Sequence, residues 1–213
     1  SVVGYLIGIF LRKKISVLNP LLVSIIFVIA VIKIFHIDYE TYNSGAKYIS
    51  YLLTPATVCL AIPLYRQISV LKEHAKEVFI GILAGVLASM GSILLMSYLF
   101  GLTHEQYVTL LPKSITTAIG MGVSEELGGI QTITVAVIII TGVLGNIIAE
   151  AVLKIFRIKE PVAKGLAIGT ASHAIGTTKA LEIGEIEGAM SSLSVAVAGL
   201  MTVISASIFA NMM

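Results

Sequence analysis

The chain has 213 residues, of which 57% are hydrophobic and 12% charged, with a mean hydropathy of +0.99 and a formal net charge of +2. A soluble domain carries about 25% charged residues, so this composition excludes a water-soluble globular protein and leaves a polytopic, all-α membrane protein. Nothing in the charge balance suggests nucleic acid as a partner.

Taken in chain order, the opening stretch Ser1–Leu11 is apolar but only half long enough to span. It reads as the end of a first transmembrane helix, closed by the basic cluster Arg12-Lys13-Lys14; a signal peptide would place its positive charges before the apolar core. Val17–Phe35 is the next apolar segment, followed by the shorter, interrupted Lys47–Tyr65. The residues from Val78 to Thr103 contain no Asp, Glu, Lys or Arg. That run exceeds the ~20 apolar residues needed to cross the hydrocarbon core, and Val78–Phe100 is read as a helix. Tyr107–Val123 is again interrupted, Ile130–Phe156 is long and apolar, Lys164–Thr178 is interrupted, and Gly188–Met213 is free of charge. The count is about six to eight membrane segments in one transmembrane domain over residues 1–213. The single Cys59 reads as a small buried hydrophobe and cannot form an internal disulfide. With no Cys/His pairs at metal-ligand spacing and no HExxH, neither a metal nor a cofactor is expected.

Charge orients these segments. Lys and Arg gather in Arg12–Lys14, Arg66–Lys76 and Lys154–Lys164, and positive loops stay in the cytoplasm. Val78–Phe100 then runs outward and Ile130–Phe156 inward. Glu105 and Glu125–Glu126 both fall outside, which makes Tyr107–Val123 a re-entrant hairpin. On the same logic Lys164–Thr178 crosses outward and the last helix returns inward. Val31-Ile-Lys-Ile-Phe-His-Ile37 recurs as Val152-Leu-Lys-Ile-Phe-Arg-Ile158, an offset of 121 residues. Each copy ends a long helix and precedes a broken segment and a charge-free helix. Two repeats, roughly 17–100 and 130–213, related by inversion and joined by the broken segment 107–123, describe many secondary transporters.

The three breaks carry the chemistry. In the first, Pro55 frees carbonyls that Thr54 and Thr57 can satisfy; the alternative is a proline kink healed by neighbouring helices. In the second, Leu111-Pro112-Lys-Ser-Ile-Thr-Thr117, Lys113 is the sharpest residue. An ammonium at the bilayer centre costs about 2.5–3.5 kcal/mol, so it either faces an anion or wet cavity, or snorkels to an interface. Ser114, Thr116 and Thr117 add hydroxyls within a turn. In the third, Gly169-Thr170-Ala-Ser172-His173-Ala-Ile-Gly176-Thr177-Thr178, the hydroxyls of Thr170, Ser172 and Thr177 flank a titratable His173. Gly169 and Gly176 allow close backbone approach; the same spacing also suits plain helix packing. One fixed cation, one histidine and many hydroxyls without a carboxylate suit a small monocarboxylate or hydroxy-acid. The three breaks are expected to converge near the midplane. No metal motif, paired carboxylate or nucleophile elbow points to an enzyme.

At these residues the sequence resembles the LrgB/CidB family of bacterial membrane proteins. The carriers are Asn19-Pro-Leu-Leu22, Pro55-Ala56 with Ala61-Ile-Pro-Leu-Tyr65, Leu111-Pro-Lys-Ser-Ile-Thr-Thr117, Gly169-Thr-Ala-Ser-His-Ala-Ile-Gly-Thr177 and Glu187-Gly-Ala-Met-Ser-Ser-Leu193. One departure is Ala118, where the family places a proline after the two threonines. The resemblance implies a bacterial plasma-membrane protein with a smaller LrgA/CidA-type membrane partner. It implies two functions: antiholin-like control of murein hydrolases and lysis, and transport of small acids of the glycolate, glycerate or pyruvate kind. Abundant small-residue packing also suits a homo-oligomer.

Overall fold

A computed structural model describes residues 2–14, 20–52, 55, 58–59 and 61–213. The chain forms two compact units, Ser1–Cys59 and Leu60–Met213. In the first, α1 (Val2–Lys14) packs on α2 (Pro20–Ile34), and α3 (Tyr39–Ser50) follows. Close approach of α1 and α2 requires glycine, because a Cβ at Gly8 would lie 2.5 Å from the Pro20 carbonyl oxygen. Asp38 accepts from the Glu40 amide at 3.0 Å and starts α3. Thr54 and Thr57 of the first break lie outside the described residues; Pro55 is exposed.

The second unit holds α4 (Ala61–Arg66), α5 (Ile68–Glu73), α6 (Ala75–Phe100), α7 (His104–Leu110), α8 (Thr117–Glu126), α9 (Gln131–Ile155), α10 (Pro161–Ile183) and α11 (Glu185–Ala210). Helices α6, α9 and α11 have 26, 25 and 26 residues and are apolar enough to span a membrane. At a rise of about 1.5 Å per residue each exceeds the ~30 Å hydrocarbon core. The protein is thus an all-helical, polytopic membrane protein.

Helices α6 and α11 run parallel. Near their C-terminal ends the Tyr98 hydroxyl donates to the Met212 carbonyl, and Tyr107 Oη donates to Phe209 O at 2.9 Å. Helix α9 runs the other way: Thr134 in its second turn bonds Thr109 O and Ser124 Oγ, at 2.9 and 2.7 Å, on the face where α7 and α8 begin and end. Its other end carries Lys154, beside the start of α10. By the distribution of basic residues that end is cytoplasmic.

The expected hairpin at Tyr107–Val123 is present. Helix α7, opened by a capping box at Thr103 and Gln106, descends from the outer face. The chain turns through Leu111–Thr116 and α8 climbs back, so that Thr109 and Ser124 share one hydrogen-bond cluster with Thr134.

Helix α10 departs from expectation. It does not cross. His173 has φ 42 and ψ −144, and the chain reverses there. In a straight helix Ile168 and Ala180 would stand about 18 Å apart; here they share one buried apolar cluster. A Cβ at Gly176 would lie 3.3 Å from Ile168 O, and Lys164 pairs with Glu187, four residues beyond the helix, at 3.5 Å. Segment Pro161–Ile183 is therefore a second hairpin, entering from and returning to the cytoplasmic face. The last helix consequently runs outward, opposite to the direction expected. Glu182 and Glu187 suggest an outer loop by sequence, but Glu182 pairs with Lys179 at 3.2 Å and Glu187 with Lys164. Acidic residues are weak topology signals, and these neutralise cytoplasmic lysines.

The sequence echo has a structural counterpart. His36 has φ 49 and Arg157 has φ 56. Ile37 N donates to Ile32 O as Ile158 N donates to Leu153 O, at 3.0 and 2.9 Å. Both copies thus end in the same left-handed cap, with a bond five residues back.

Candidate functional site

The two hairpins enter from opposite faces, and their tips meet. The entering arm of α10, residues 161–172, is about 18 Å long, a little over half the hydrocarbon core. Glu160 caps it by accepting from Ala163 N at 3.0 Å, and Pro161 occupies its first position. The arm slides between α6 and α11 because small residues face it. A Cβ at Gly85 would be 2.9 Å from Thr170 Oγ1, and a Cβ on Gly169 would be 2.5 Å from Ser191 O.

The reversal at His173 is held from three sides. A non-glycine residue at these angles costs about 1–3 kcal/mol and persists only where its surroundings over-determine it. His173 Nε2 lies 2.9 Å from Ile138 O. A carbonyl only accepts, so Nε2 carries the proton. Thr177 Oγ1 donates to His173 O at 3.0 Å and shares a 2.8 Å bond with Ser191 Oγ. The imidazole rests on Gly142 and Ser172 on Gly145; a Cβ at Gly145 would fall 1.7 Å from Ser172 Oγ. Asn146, next to Gly145 and one turn beyond Gly142, donates to Ile175 O and Thr178 Oγ1 at 3.0 and 2.9 Å. At the inner end Lys179 joins Glu150 of α9 at 2.5 Å. Among the residues expected to bind a ligand, Ser172, His173 and Thr177 thus act in positioning the tip.

The other tip presents Lys113. Its Nζ donates to Ser114 Oγ at 2.9 Å and to Ser89 Oγ at 3.3 Å, and Ser89 Oγ donates to Ser114 Oγ at 3.0 Å. Among the described residues no carboxylate pairs with it. Ser114 accepts two bonds, which leaves its own proton to donate. Pro112 is fully buried, and Thr116 and Thr117 open α8 half-buried. Ser114 and Thr170 line one small cavity of about 10 Å³ together with Ser89 and Thr202. That is room for about one water, so the tips are nearly closed on each other. From the cytoplasmic side a groove of about 520 Å³, rimmed by His74, Glu77 and Glu160, runs between α6 and α10 down to Thr170.

The structure therefore brings Ser114 and Thr170 to one cavity, with Lys113 bonded to two of its lining hydroxyls, Ser89 and Ser114, and sets Ser172, His173 and Thr177 behind Thr170. Ser89, Thr202, Gly142 and Gly145 were not legible as site residues. A lone hydroxyl or glycine inside a charge-free helix is too common to single out, and only the hairpin geometry gives these four their places.

Two half-depth hairpins that carry a half-buried cation and a set of hydroxyls toward one another define a multi-pass membrane protein with an interior polar site. The chain belongs to the LrgB-like family, whose model matches residues 1–212. Similar proteins include those named antiholin-like protein LrgB from Bacillus mycoides (strain KBAB4), Bacillus cereus (strain B4264) and Bacillus anthracis (strain CDC 684 / NRRL 3495). Each is 38% identical over 207 residues, covering 96% of this chain and 90% of the relative. No solved structure matches the chain. Family and apolar helices together make it a multi-pass cell-membrane protein.

Proposed function

We propose that this protein is a secondary transporter of small monocarboxylates or hydroxy-acids, of the pyruvate or glycolate kind, working by alternating access at the facing hairpin tips. The observation that carries the reading is Lys113: a half-buried ammonium at a hairpin tip, held by two hydroxyls and by no carboxylate among the described residues. Keeping a lysine at membrane depth costs about 2.5–3.5 kcal/mol, and a scaffold gains nothing by it. Two of its three donors go to Ser89 and Ser114, and the third suits a ligand carboxylate, with the Ser114 and Thr170 hydroxyls nearby. The cavity is too small for a three-carbon acid, so binding requires the tips to part. The groove that reaches Thr170 from the cytoplasmic side offers an inner access path. A small LrgA/CidA-type membrane protein is the proposed partner.

The test is uptake of labelled pyruvate or glycolate into proteoliposomes, with and without that partner. Saturable flux, abolished in Lys113→Met, supports the proposal; its absence in both preparations counts against it.

A second reading follows from the relatives' shared name, antiholin-like protein: a regulator of murein hydrolase activity and lysis that does not transport. Under it, Lys113→Met leaves a lysis phenotype intact. If that change abolishes function while the protein still assembles, that reading fails.

A further inference from the structure

A second cavity, an open cleft of about 560 Å³, lies at the cytoplasmic end of the bundle, away from the tips. It is walled by the end of α9, the connection to α10 and both arms of the second hairpin. Its charged lining is Lys154, Arg157, Lys159 and Lys164 against the single carboxylate Glu150, while Leu153, Ile158 and Ile183 make its apolar part. Lys164 is engaged by Glu187 at 3.5 Å, and Lys154 lies 3.9 Å from Glu150. Arg157 and Lys159 have no ionic partner among the described residues. Just outside, Ile155 and Phe156 are 74% and 72% exposed, an apolar surface beside a basic chamber.

We infer that this cavity binds the phosphate headgroup of an anionic phospholipid from the cytoplasmic leaflet, with its acyl chains against Ile155 and Phe156. The volume falls in the range of small-molecule sites, about 300–1,000 Å³, and is far larger than a three-carbon acid needs. Arg157 can hold the two non-bridging oxygens of a phosphodiester with two parallel bonds, and Lys159 adds a second positive charge beside its single negative one. The apolar lining and the exposed pair suit a lipid rather than a soluble anion. Basic pockets between helices on the cytoplasmic side have this chemistry in general. The left-handed cap that places Arg157 at φ 56 is unfavourable for a long side chain. The bound lipid would lie between α9 and both arms of the hairpin, and so bear on how the hairpin is held.

The experiment uses the full chain purified in detergent. The rise in melting temperature is titrated with palmitoyl-oleoyl phosphatidylglycerol, the matching phosphatidylcholine, and soluble glycerol phosphate. Phosphatidylglycerol is expected to stabilise and the other two are not. Arg157→Asn with Lys159→Gln should raise the half-saturating concentration on the order of 25-fold, about fivefold for each charge removed. Asn suits the left-handed cap, and Lys159→Gln alone, at an exposed position, should show the fivefold part by itself. Lys13→Gln with Lys14→Gln, the same change in net charge elsewhere, should leave the titration unchanged. Equal stabilisation by phosphatidylcholine, an equal effect of glycerol phosphate, or an unaltered titration in both charge-removing variants would overturn the proposal.

Discussion

Gly145→Ala separates the tip geometry from ordinary helix packing. On an open helix face, replacing glycine by alanine stabilises by up to about 1 kcal/mol, because glycine is that much the poorer helix former. At Gly145 the new Cβ would meet Ser172 Oγ at 1.7 Å and Ser172 Cβ at 2.5 Å. The hydroxyl can rotate away, but the Cβ is fixed to the backbone beside the reversal and cannot. Overpacking costs about 1–3 kcal/mol, and a backbone-fixed contact at 2.5 Å belongs to the upper part of that range, about 2–3, so the sign reverses. The net effect should be a loss on the order of 1–2 kcal/mol, read as a fall of about 2–8 °C in the melting temperature of the detergent-solubilised protein. Ser172→Gly in the same chain removes both clashing atoms and should recover much of the loss, whereas Ser172→Ala keeps the Cβ and should not. Gly91, in α6 with nothing within 4 Å of a built Cβ, is the control, and Gly91→Ala should be neutral or stabilising. A Gly145→Ala protein that melts at or above the native temperature would refute the seating of the tip on α9.

Other consequences follow from the same geometry. His173→Ala removes the bond to Ile138 O while keeping the strained angles, and His173→Gly removes both bond and strain; the glycine variant should therefore melt higher than the alanine variant, by about 1–3 kcal/mol equivalent. Lys164→Met leaves Glu187 buried without its partner and should cost about 1–3 kcal/mol in thermal stability, which Glu187→Gln in the same chain should largely restore. Under the proposed transport activity, Ser114→Ala should slow carboxylate flux at least tenfold, the effect of losing about 1.4 kcal/mol, and, because it strips an acceptor from Lys113 and Ser89, should also lower thermal stability by about 1–3 kcal/mol.

Much of this organisation can be read from composition and pattern. Charge-free runs locate α6, α9 and α11, and the outer hairpin follows from acidic residues on both of its flanks together with a proline and a lysine at its centre. The repeated Val-X-Lys-Ile-Phe-X-Ile string marks helix ends that share one cap. The second hairpin reads as a crossing because its reversal lacks the usual punctuation. His173 takes positive φ without being glycine or lying beside a proline, and no propensity signals that. Its angles are fixed by Ile138, Gly142 and Ser191, which are remote in sequence. For the same reason Ser172, His173 and Thr177 read as ligand groups. A polar residue at membrane depth must have a partner, but the sequence does not say whether that partner is a ligand or another helix. Lys113 stands out in the sequence because a lysine in an apolar hairpin is costly to keep, and the structure shows the hydroxyls of Ser89 and Ser114 on it.

Transport at this place requires the tips of two opposed hairpins to face each other. Whether they do is read from crosslinking between Ser114→Cys and Thr170→Cys, in a Cys59→Ser background, with a short bifunctional thiol reagent in native membranes. The crosslink is expected to form, because both positions line one small cavity. A pair that never crosslinks would mean that the hairpin tips do not meet.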